Sequence, residues 1–380
     1  MEEVFLTTAE LAKRHLRESD YVADTEAFID CRLPGSMPKE NFSMIGPGVT
    51  QSDKQVVNLR EPHGFNIGAA GVHPGITNNL HLHFTSETFI AASGAYTLRW
   101  GVKGDEGSLP LETGDIAVMP TWMFRGFSSA SDEYGFLMTV LGGDDTGGIL
   151  WSPDVLKRAR ETGLWLTKDN RLVDTAIDGT PPENESLMPL LSEVDMQSIK
   201  RWSAEEIRRR VLKLSERKFC AATLDTACGF QWKLAPAVGF GITQARAHWP
   251  IVGEPQGFSI EWATVAPGQS SAAFRTVEKM VIINVFGTLR VRLNRGDQQI
   301  ECTLAPREIL SIPANVWRAF SVDHESAAVA EFLLVLPGDS RKRIEWEDGL
   351  VAKALQADAA LDADGRIARY SLLPPPMLCA

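Results

Sequence analysis

The residues with the clearest chemical potential lie in PGITNNLHLHFTSETFIAASG, from Pro74 to Gly94. His81 and His83 are two positions apart, and Glu87 follows four residues later. On a β-strand, side chains two positions apart point to the same face. Imidazole and carboxylate groups on one face can bind a metal ion. The stretch is therefore either a metal site or a strand that happens to contain two of the chain's seven histidines.

The elements that would position these residues occur twice in the sequence. The segment REPHGFNIGAAGVHPGI at 60–76 aligns without gaps on GEPQGFSIEWATVAPGQ at 253–269, a shift of 193 residues. The same shift pairs Gly94 with Gly287, Arg99 with Arg292, Pro120 with Pro313, Arg125 with Arg318 and Phe127 with Phe320. A constant shift over so long a stretch indicates two copies of one module.

Each copy is built from short segments rich in Val, Ile, Thr and aromatic residues. Examples are TFIAASG and GFLMTVLGG in the first copy, and MVIINVFG and AEFLLVLPG in the second. Gly, Pro, Asp and Ser separate them, a pattern typical of an all-β barrel or jelly roll. Between the copies, Ser152-Pro153 and the pair Ser203 and Glu206 are helix-start signals. The sequence predicts two barrels joined by a helical linker.

The spacing of Gly75, His81, His83, Glu87 and Gly94 matches the first motif of the cupin superfamily, and the duplicated chain resembles the bicupins. The resemblance implies two double-stranded β-helix barrels of the cupin, jelly-roll type. It also implies that the two histidines and the glutamate bind a metal ion. It covers the two copies and does not extend to the segments outside them.

These observations predict a chain of five parts. We expect an N-terminal helical arm at 1–53, a metal-binding cupin barrel at 54–145 and a helical linker at 146–218. A second barrel without metal ligands follows at 219–340, and a C-terminal tail at 341–380. In the second copy, Phe274, Thr276 and Met280 occupy the positions of the three ligands. That barrel should be filled with apolar side chains, so any chemistry belongs to the first.

The second cupin motif departs from the family pattern. In LETGDIAVMPTWMFRGF at 111–127, Gly114 and Pro120 are in register. However, Trp122 replaces the usual glycine and Arg125 replaces the third histidine ligand. The Pro-x-Trp run is also similar to that of ring-cleaving dioxygenases of the gentisate type, which carry that histidine and lack the glutamate. The subfamily stays open.

Two imidazoles and one carboxylate form the ligand set that holds non-haem Fe(II) and leaves coordination positions open for substrate and dioxygen. Fe(II) is the expected metal, and Mn, Ni, Co or Zn could bind the same set. The alternative is a site without metal, in which Glu87 pairs with Arg125 and the histidines are hydrogen-bonded core residues.

Arg125 is the candidate catalytic residue. A guanidinium about 5 Å from a divalent cation is repelled by roughly 6 to 7 kcal/mol at an effective dielectric constant near 20. An anionic group must therefore lie between them, and a substrate carboxylate suits the planar guanidinium. Arg318 holds the matching position in the copy without ligands, so a shared structural role is the alternative.

Further candidates surround this motif. These residues would line an apolar pocket if their side chains point inward. The alternative for the aromatic residues is core packing, and the alternative for the histidine is a solvated loop position. The predicted pocket residues are Trp100, Trp122, Phe124, Phe127 and His73.

Composition limits the partners. A net charge of −11 and a pI near 5.2 argue against nucleic acid or an anionic membrane as a partner. The five cysteines are scattered, and the N-terminus lacks the features of a secretory signal, so a cytoplasmic location is expected. The resemblance to bicupins implies a homo-oligomer.

The leading hypothesis is an Fe(II)-dependent cupin oxygenase or dioxygenase that acts on a small anionic metabolite, aromatic or not. The first alternative is a redox-neutral, metal-dependent isomerase or decarboxylase. The second is a bicupin that binds a small molecule without turnover. One fold hosts all three, so the site must distinguish them.

Overall fold

The structure is a computed structural model that describes residues 2–374. In it the chain forms two compact units, one from residues 20–216 and one from the residues up to 19 together with those from 217 onward. Both consist mainly of antiparallel β-sheet, which confirms the predicted all-β fold. None of the helices in this part of the chain is long and apolar enough to cross a membrane.

The regular elements are as follows. The helices are α1 (Thr8–Arg14), α2 (Pro153–Glu161), α3 (Thr175–Asp178), α4 (Glu193–Ser198), α5 (Ala204–Arg208) and α6 (Leu350–Gln356). The strands are β1 (His15–Leu16), β2 (Lys39–Ile45), β3 (Val57–Leu59), β4 (Phe65–Val72), β5 (Thr77–His83), β6 (Glu87–Ser93), β7 (Ala95–Trp100), β8 (Gly107–Glu112), β9 (Ile116–Met119), β10 (Arg125–Ser129), β11 (Gly135–Gly142), β12 (Ile149–Trp151), β13 (Leu164–Leu166), β14 (Leu172–Asp174), β15 (Val211–Leu212), β16 (Trp232–Val238), β17 (Phe258–Val265), β18 (Phe274–Arg275), β19 (Met280–Phe286), β20 (Leu289–Leu293), β21 (Ile300–Leu304), β22 (Ile309–Ile312), β23 (Arg318–Ser321), β24 (Ala330–Pro337), β25 (Glu345–Trp346), β26 (Ala359–Leu361) and β27 (Ile367–Arg369).

The first unit contains the N-terminal barrel, which is made of two sheets. The larger has the strand order β15-β9-β6-β11-β4-β2-β3, and the smaller has the order β12-β5-β10-β7-β8. Its apolar core includes Val72, Phe89, Leu98, Leu111 and Leu137. Each such side chain contributes about 1.5–3 kcal/mol on burial, so the core holds both sheets in place.

The second unit contains the C-terminal barrel. Its sheets have the orders β1-β22-β19-β24-β17-β16 and β21-β20-β23-β18-β25. Strand β20, LRVRL, shows how the sequence forms a half-buried strand: Leu289, Val291 and Leu293 are buried, whereas Arg290 and Arg292 point away from the core.

Matching registers relate the two barrels. His81 on β5 lies opposite Arg125 on β10, and Phe274 on β18 lies opposite Arg318 on β23. The second pair is the first pair shifted by 193 residues, like the sequence repeat. The duplication inferred from sequence therefore extends to strand pairing.

A strained turn is also shared. Trp122 has φ 54° and its counterpart Asn315 has φ 61°. Trp122 N donates to the His83 carbonyl at 3.2 Å, and Asn315 N donates to the Thr276 carbonyl at 2.8 Å. Left-handed backbone explains why the cupin motif has glycine at this position. In this chain a tryptophan adopts that conformation instead.

The five-part division of the chain stays a prediction, and residues 375–380 of its tail lie outside the described residues. The segment expected to be a helical arm supplies α1 and β1 to the second unit but β2 and β3 to the first. The expected helical linker contains α2 and α5, with Ser152 and Ser203 as N-caps, and also strands β12 and β15, which join the N-terminal barrel. These strands are short, so their alternation was too brief to detect.

Candidate metal centre

Two neighbouring elements bring the metal-ligand candidates together. Strand β5 carries His81 and His83, and strand β6 begins with Glu87. Because the histidines are two positions apart, strand alternation turns both into the barrel. Their rings lie 5.0 Å apart, and all three residues are buried.

The ligand atoms of His81, His83 and Glu87 lie within 4.8 Å of one another. The closest approach of the second histidine to the carboxylate is 3.5 Å, between His83 Nε2 and Glu87 Oε1. Across residues 2–374 no other group of three His, Cys, Asp or Glu side chains meets this criterion.

Both imidazoles are neutral in this setting. Burial, reinforced by the charge of Arg125, lowers the pKa of His81 to about 3 and the pKa of His83 well below its usual value. His81 Nδ1 donates to the Asn79 carbonyl at 2.8 Å, which leaves the lone pair on Nε2. An imidazole oriented in this way by a backbone carbonyl is typical of metal ligands.

The two carboxylate oxygens of Glu87 contact different neighbours. Its Oε2 accepts a hydrogen bond of 3.0 Å from Arg125 Nε, whereas Oε1 faces His83. Burial raises the pKa of Glu87, and the guanidinium opposes that effect. Arg125 therefore stabilises the ionised carboxylate and leaves one oxygen for a metal.

The side chains fit a divalent metal ion better than a metal-free core. The expected pairing of Glu87 with Arg125 is present, but the histidines are not fully hydrogen-bonded. His83 Nδ1 is buried without a hydrogen-bond partner. Neutral imidazoles and one free carboxylate oxygen form a donor set suited to Mn(II), Fe(II) and similar ions.

A small cavity of about 60 Å³ lies beside this cluster. Holding one water molecule needs at least roughly 10–15 Å³ of such space, so the cavity has room for a few water molecules. Its wall is apolar at Phe89, Phe127 and Trp151, and polar at Lys39 and Asn78.

Arg125 does not line this cavity. The side chain is fully buried, and besides Glu87 it donates from Nη1 to the Met123 carbonyl at 3.1 Å. In this geometry Arg125 has no direct access to the cavity, so its role in holding a substrate stays a prediction.

Of the predicted pocket residues, Phe127 lines the cavity. Trp100 is buried in the same apolar cluster as Phe89 and Phe127 but does not line the cavity, and its Nε1 donates to the Trp202 carbonyl. Phe124 is buried in a separate cluster with Leu82 and Leu150. Trp122 is 51% exposed and contacts Phe84, and His73 is exposed against Tyr134. These four residues do not line the cavity, so a role for them as pocket residues stays a prediction.

Sequence reasoning missed the wall residues that come from outside the repeat. Lys39 lies on β2 and Trp151 on β12, in the segments expected to be an arm and a linker. The apolar residues of KENFSMI could have indicated a strand, but they do not indicate that it pairs with β4 and reaches the cavity.

The equivalent place in the C-terminal barrel contains no comparable site. Phe274 and Met280 are fully buried within its apolar core. Thr276, which lies between them in the sequence, is also fully buried. Arg318 donates from Nη2 to the Val316 carbonyl at 2.8 Å and from Nη1 to Thr276 Oγ1 at 3.3 Å.

Comparison with known proteins supports the fold. No protein-family model matches the chain, and no curated protein is significantly similar in sequence. Among solved structures, oxalate decarboxylase from Bacillus subtilis is similar with a TM-score of 0.52 and 12% identity, covering 91% of this chain and 80% of that one. The formate complex of Lactobacillus farciminis oxalate decarboxylase is similar with a TM-score of 0.52 and 11% identity, covering 89% of each chain.

Proposed function

The chain has the bicupin fold, and we propose that its N-terminal barrel is a metal-dependent decarboxylase of a small dicarboxylic acid. The observation that carries the proposal is the buried cluster of His81, His83 and Glu87 beside a small cavity. Oxalate decarboxylases share the fold, which makes this redox-neutral reaction the first one to test.

The size of the cavity favours a small substrate. Room for a few water molecules suits an acid of a few carbon atoms. Phe89 and Phe127 form an apolar part of the cavity wall, which would limit the access of water to a bound substrate.

The protein side chains have separable roles in this proposal. His81, His83 and Glu87 would hold the metal, which as a Lewis acid would polarise a substrate carboxylate. Arg125 is a positioning residue that keeps Glu87 ionised and oriented. In the reaction the bond to one carboxylate breaks, CO₂ leaves, and the remaining carbon takes up a proton.

Mn(II) is the proposed metal, ahead of Fe(II). One of the similar structures concerns the Mn(II) centres of the Bacillus subtilis enzyme. The ligand set also suits Fe(II), on which the oxygenase hypothesis depends. A homo-oligomer and a cytoplasmic location stay predictions.

The test begins with protein purified without chelators and loaded separately with Mn(II) or Fe(II). Bound metal is measured by elemental analysis, and CO₂ release and O₂ uptake are followed with oxalate, other small dicarboxylic acids and phenolic acids. We expect CO₂ and the shortened acid in equal amounts without net O₂ uptake. Stoichiometric O₂ uptake would favour the oxygenase instead, and bound metal without turnover of any acid would favour a binding protein.

A further inference from the structure

A strand from outside the duplicated module contributes to the cavity. Strand β2 pairs with β4 and places Lys39, Glu40 and Asn41 on the wall. Lys39 is only 5% exposed. Among the residues that line the cavity it is the only lysine, and none of them is an arginine.

The ammonium group of Lys39 is held by one carboxylate and one amide. Lys39 Nζ lies 2.8 Å from both carboxylate oxygens of Asp30 and 2.8 Å from Asn78 Oδ1. The amide oxygen is neutral and belongs to a residue that itself lines the cavity. An anionic acceptor forms a stronger, charge-assisted hydrogen bond than a neutral amide, so a ligand carboxylate can replace Asn78 at this ammonium.

Asp30 does not depend on Lys39 alone. Its Oδ2 also accepts hydrogen bonds from the Asn79 backbone N at 3.2 Å and from Asn79 Nδ2 at 3.1 Å. These neutral donors stabilise the buried carboxylate in addition to Lys39, which itself lines the cavity. Asn79 also accepts the hydrogen bond that orients His81, so this network joins the cavity cation to the metal cluster.

Trp151 supplies a second donor. It lines the same cavity and is 1% exposed, and its indole Nε1 has no hydrogen-bond partner. A buried N–H without a partner costs about 1–3 kcal/mol, a cost that a ligand oxygen would remove. Its ring contacts that of His81 at 5.2 Å, so the donor belongs to the wall next to the cluster.

The buried charges set the charge of the preferred ligand. Lys39 with Asp30 and Arg125 with Glu87 form two neutral pairs, and Glu40 is partly exposed at the wall. A divalent metal bound by neutral imidazoles would therefore leave two positive charges, which a dianion neutralises.

We propose that Lys39 and Trp151 bind the substrate carboxylate that lies away from the metal, and so select dianionic dicarboxylates over monoanions. This inference rests on the proposed function. It assigns to Lys39 the role that sequence analysis gave to Arg125.

The experiment measures binding rather than turnover. Oxalate and formate are titrated by calorimetry into the Mn(II)-loaded wild type and the variants Lys39→Met, Asp30→Asn and Trp151→Phe, with metal content checked for each. CO₂ release is followed in parallel, so that the heat of turnover is subtracted from the heat of binding. We expect Lys39→Met to weaken oxalate binding about 10- to 100-fold and formate binding less than about threefold. Trp151→Phe should weaken oxalate binding about threefold to tenfold.

Asp30→Asn separates anion binding from a structural role. It leaves the ammonium charge unneutralised, so oxalate should bind more tightly or equally well. If Lys39 only supports the fold, both variants should weaken oxalate and formate alike, which would overturn the inference. Lys213→Met removes a lysine paired with buried Asp115 away from the cavity and should leave both affinities unchanged.

Two further measurements keep the result interpretable. If Lys39→Met alone fails to fold, the double variant Lys39→Met with Asp30→Asn replaces it, because that variant leaves no unpaired buried charge. We expect it to fold and to lose the preference for oxalate over formate. Failure of the loaded wild type to bind oxalate would also overturn the inference. Selective binding that depends on Lys39 without CO₂ release would instead refute only the proposed decarboxylase.

Discussion

The two barrels share an arginine but not its partner. Arg125 and Arg318 are equivalent in sequence and strand register, and both are fully buried. Arg125 pairs with Glu87, whereas Arg318 donates to the carbonyls of Val316 and Pro313 and to a threonine. The arginine therefore belongs to the shared scaffold, and only the ligand residues distinguish the candidate site.

The comparison also shows what the carboxylate does for the first barrel. Burial lowers the pKa of Arg318 to about 9, with partial compensation from the charge of Glu278. Carbonyl oxygens satisfy its hydrogen bonds but do not neutralise its charge. In the N-terminal barrel Glu87 neutralises the charge of Arg125, so this carboxylate stabilises the fold in addition to its proposed role as a metal ligand.

The largest expected effect concerns metal binding. His83→Ala should lower the affinity for Mn(II) at least 100-fold, because it removes one of three protein ligands. The matched change Thr276→Ala in the C-terminal barrel should leave metal content unchanged. Elemental analysis after dialysis against limiting metal distinguishes them. Equal metal loss in both variants would contradict the proposal that only the N-terminal barrel binds metal.

A second prediction transfers the C-terminal residue into the N-terminal barrel. Glu87→Met should destabilise the metal-free protein by about 3–5 kcal/mol, because Arg125 is left as a buried charge without a carboxylate. Glu87→Gln keeps an acceptor and should cost less. Urea unfolding in the presence of chelator measures both. If Glu87→Met has the same free energy of unfolding as the wild type, the carbonyl groups around Arg125 are enough to stabilise its charge, as they are around Arg318.

A third prediction concerns a carboxylate found only in the C-terminal barrel. Glu261 occupies the position of Gly68 and is fully buried, and burial raises its pKa to about 8. The folded state keeps this proton between pH 4.5 and about 8 while the unfolded state loses it. The contribution of Glu261 to the free energy of unfolding should therefore be fully present below pH 4.5 and fall as the pH rises to about 8.

The expected slope is at most about 1.4 kcal/mol per pH unit within that window. Hydrogen exchange at β17, followed from pH 5 to pH 8, reports on this barrel, and β4 provides the comparison. Glu261→Gln should flatten the slope at β17, although it loses one acceptor for the Ile242 and Thr243 amides. An unchanged slope in this variant would mean that another group titrates.

Much of the fold was predictable because it rests on patterns that repeat. The shift of 193 residues predicted two copies of one module, whose strand registers match in the structure, and the spacing of His81, His83 and Glu87 predicted their convergence. The cavity wall was not predictable, since Lys39 reaches it through tertiary pairing of β2 with β4. The direction of Arg125 depends on side-chain geometry that its sequence position does not specify.

The smallest expected effect comes from the shared left-handed turn. Trp122 has φ 54° where the C-terminal barrel has Asn315. Asparagine tolerates this backbone conformation better than other residues with a Cβ, whereas for most L-residues it costs about 1–2 kcal/mol. Trp122→Asn should therefore relieve backbone strain but lose the ring contact with Phe84.

The net result should be a stabilisation of up to about 1 kcal/mol, measured as a higher midpoint in urea. Metal content should not change, because Trp122 lies outside the cavity and the hydrogen bond from its backbone N to the His83 carbonyl is independent of the side chain. Trp122→Ala is the control, since it loses the ring contact without gaining a residue suited to positive φ. Metal loss in Trp122→Asn would instead show that the side chain of Trp122 positions His83. Asn315 could not have this role, because its barrel has no metal ligands to position.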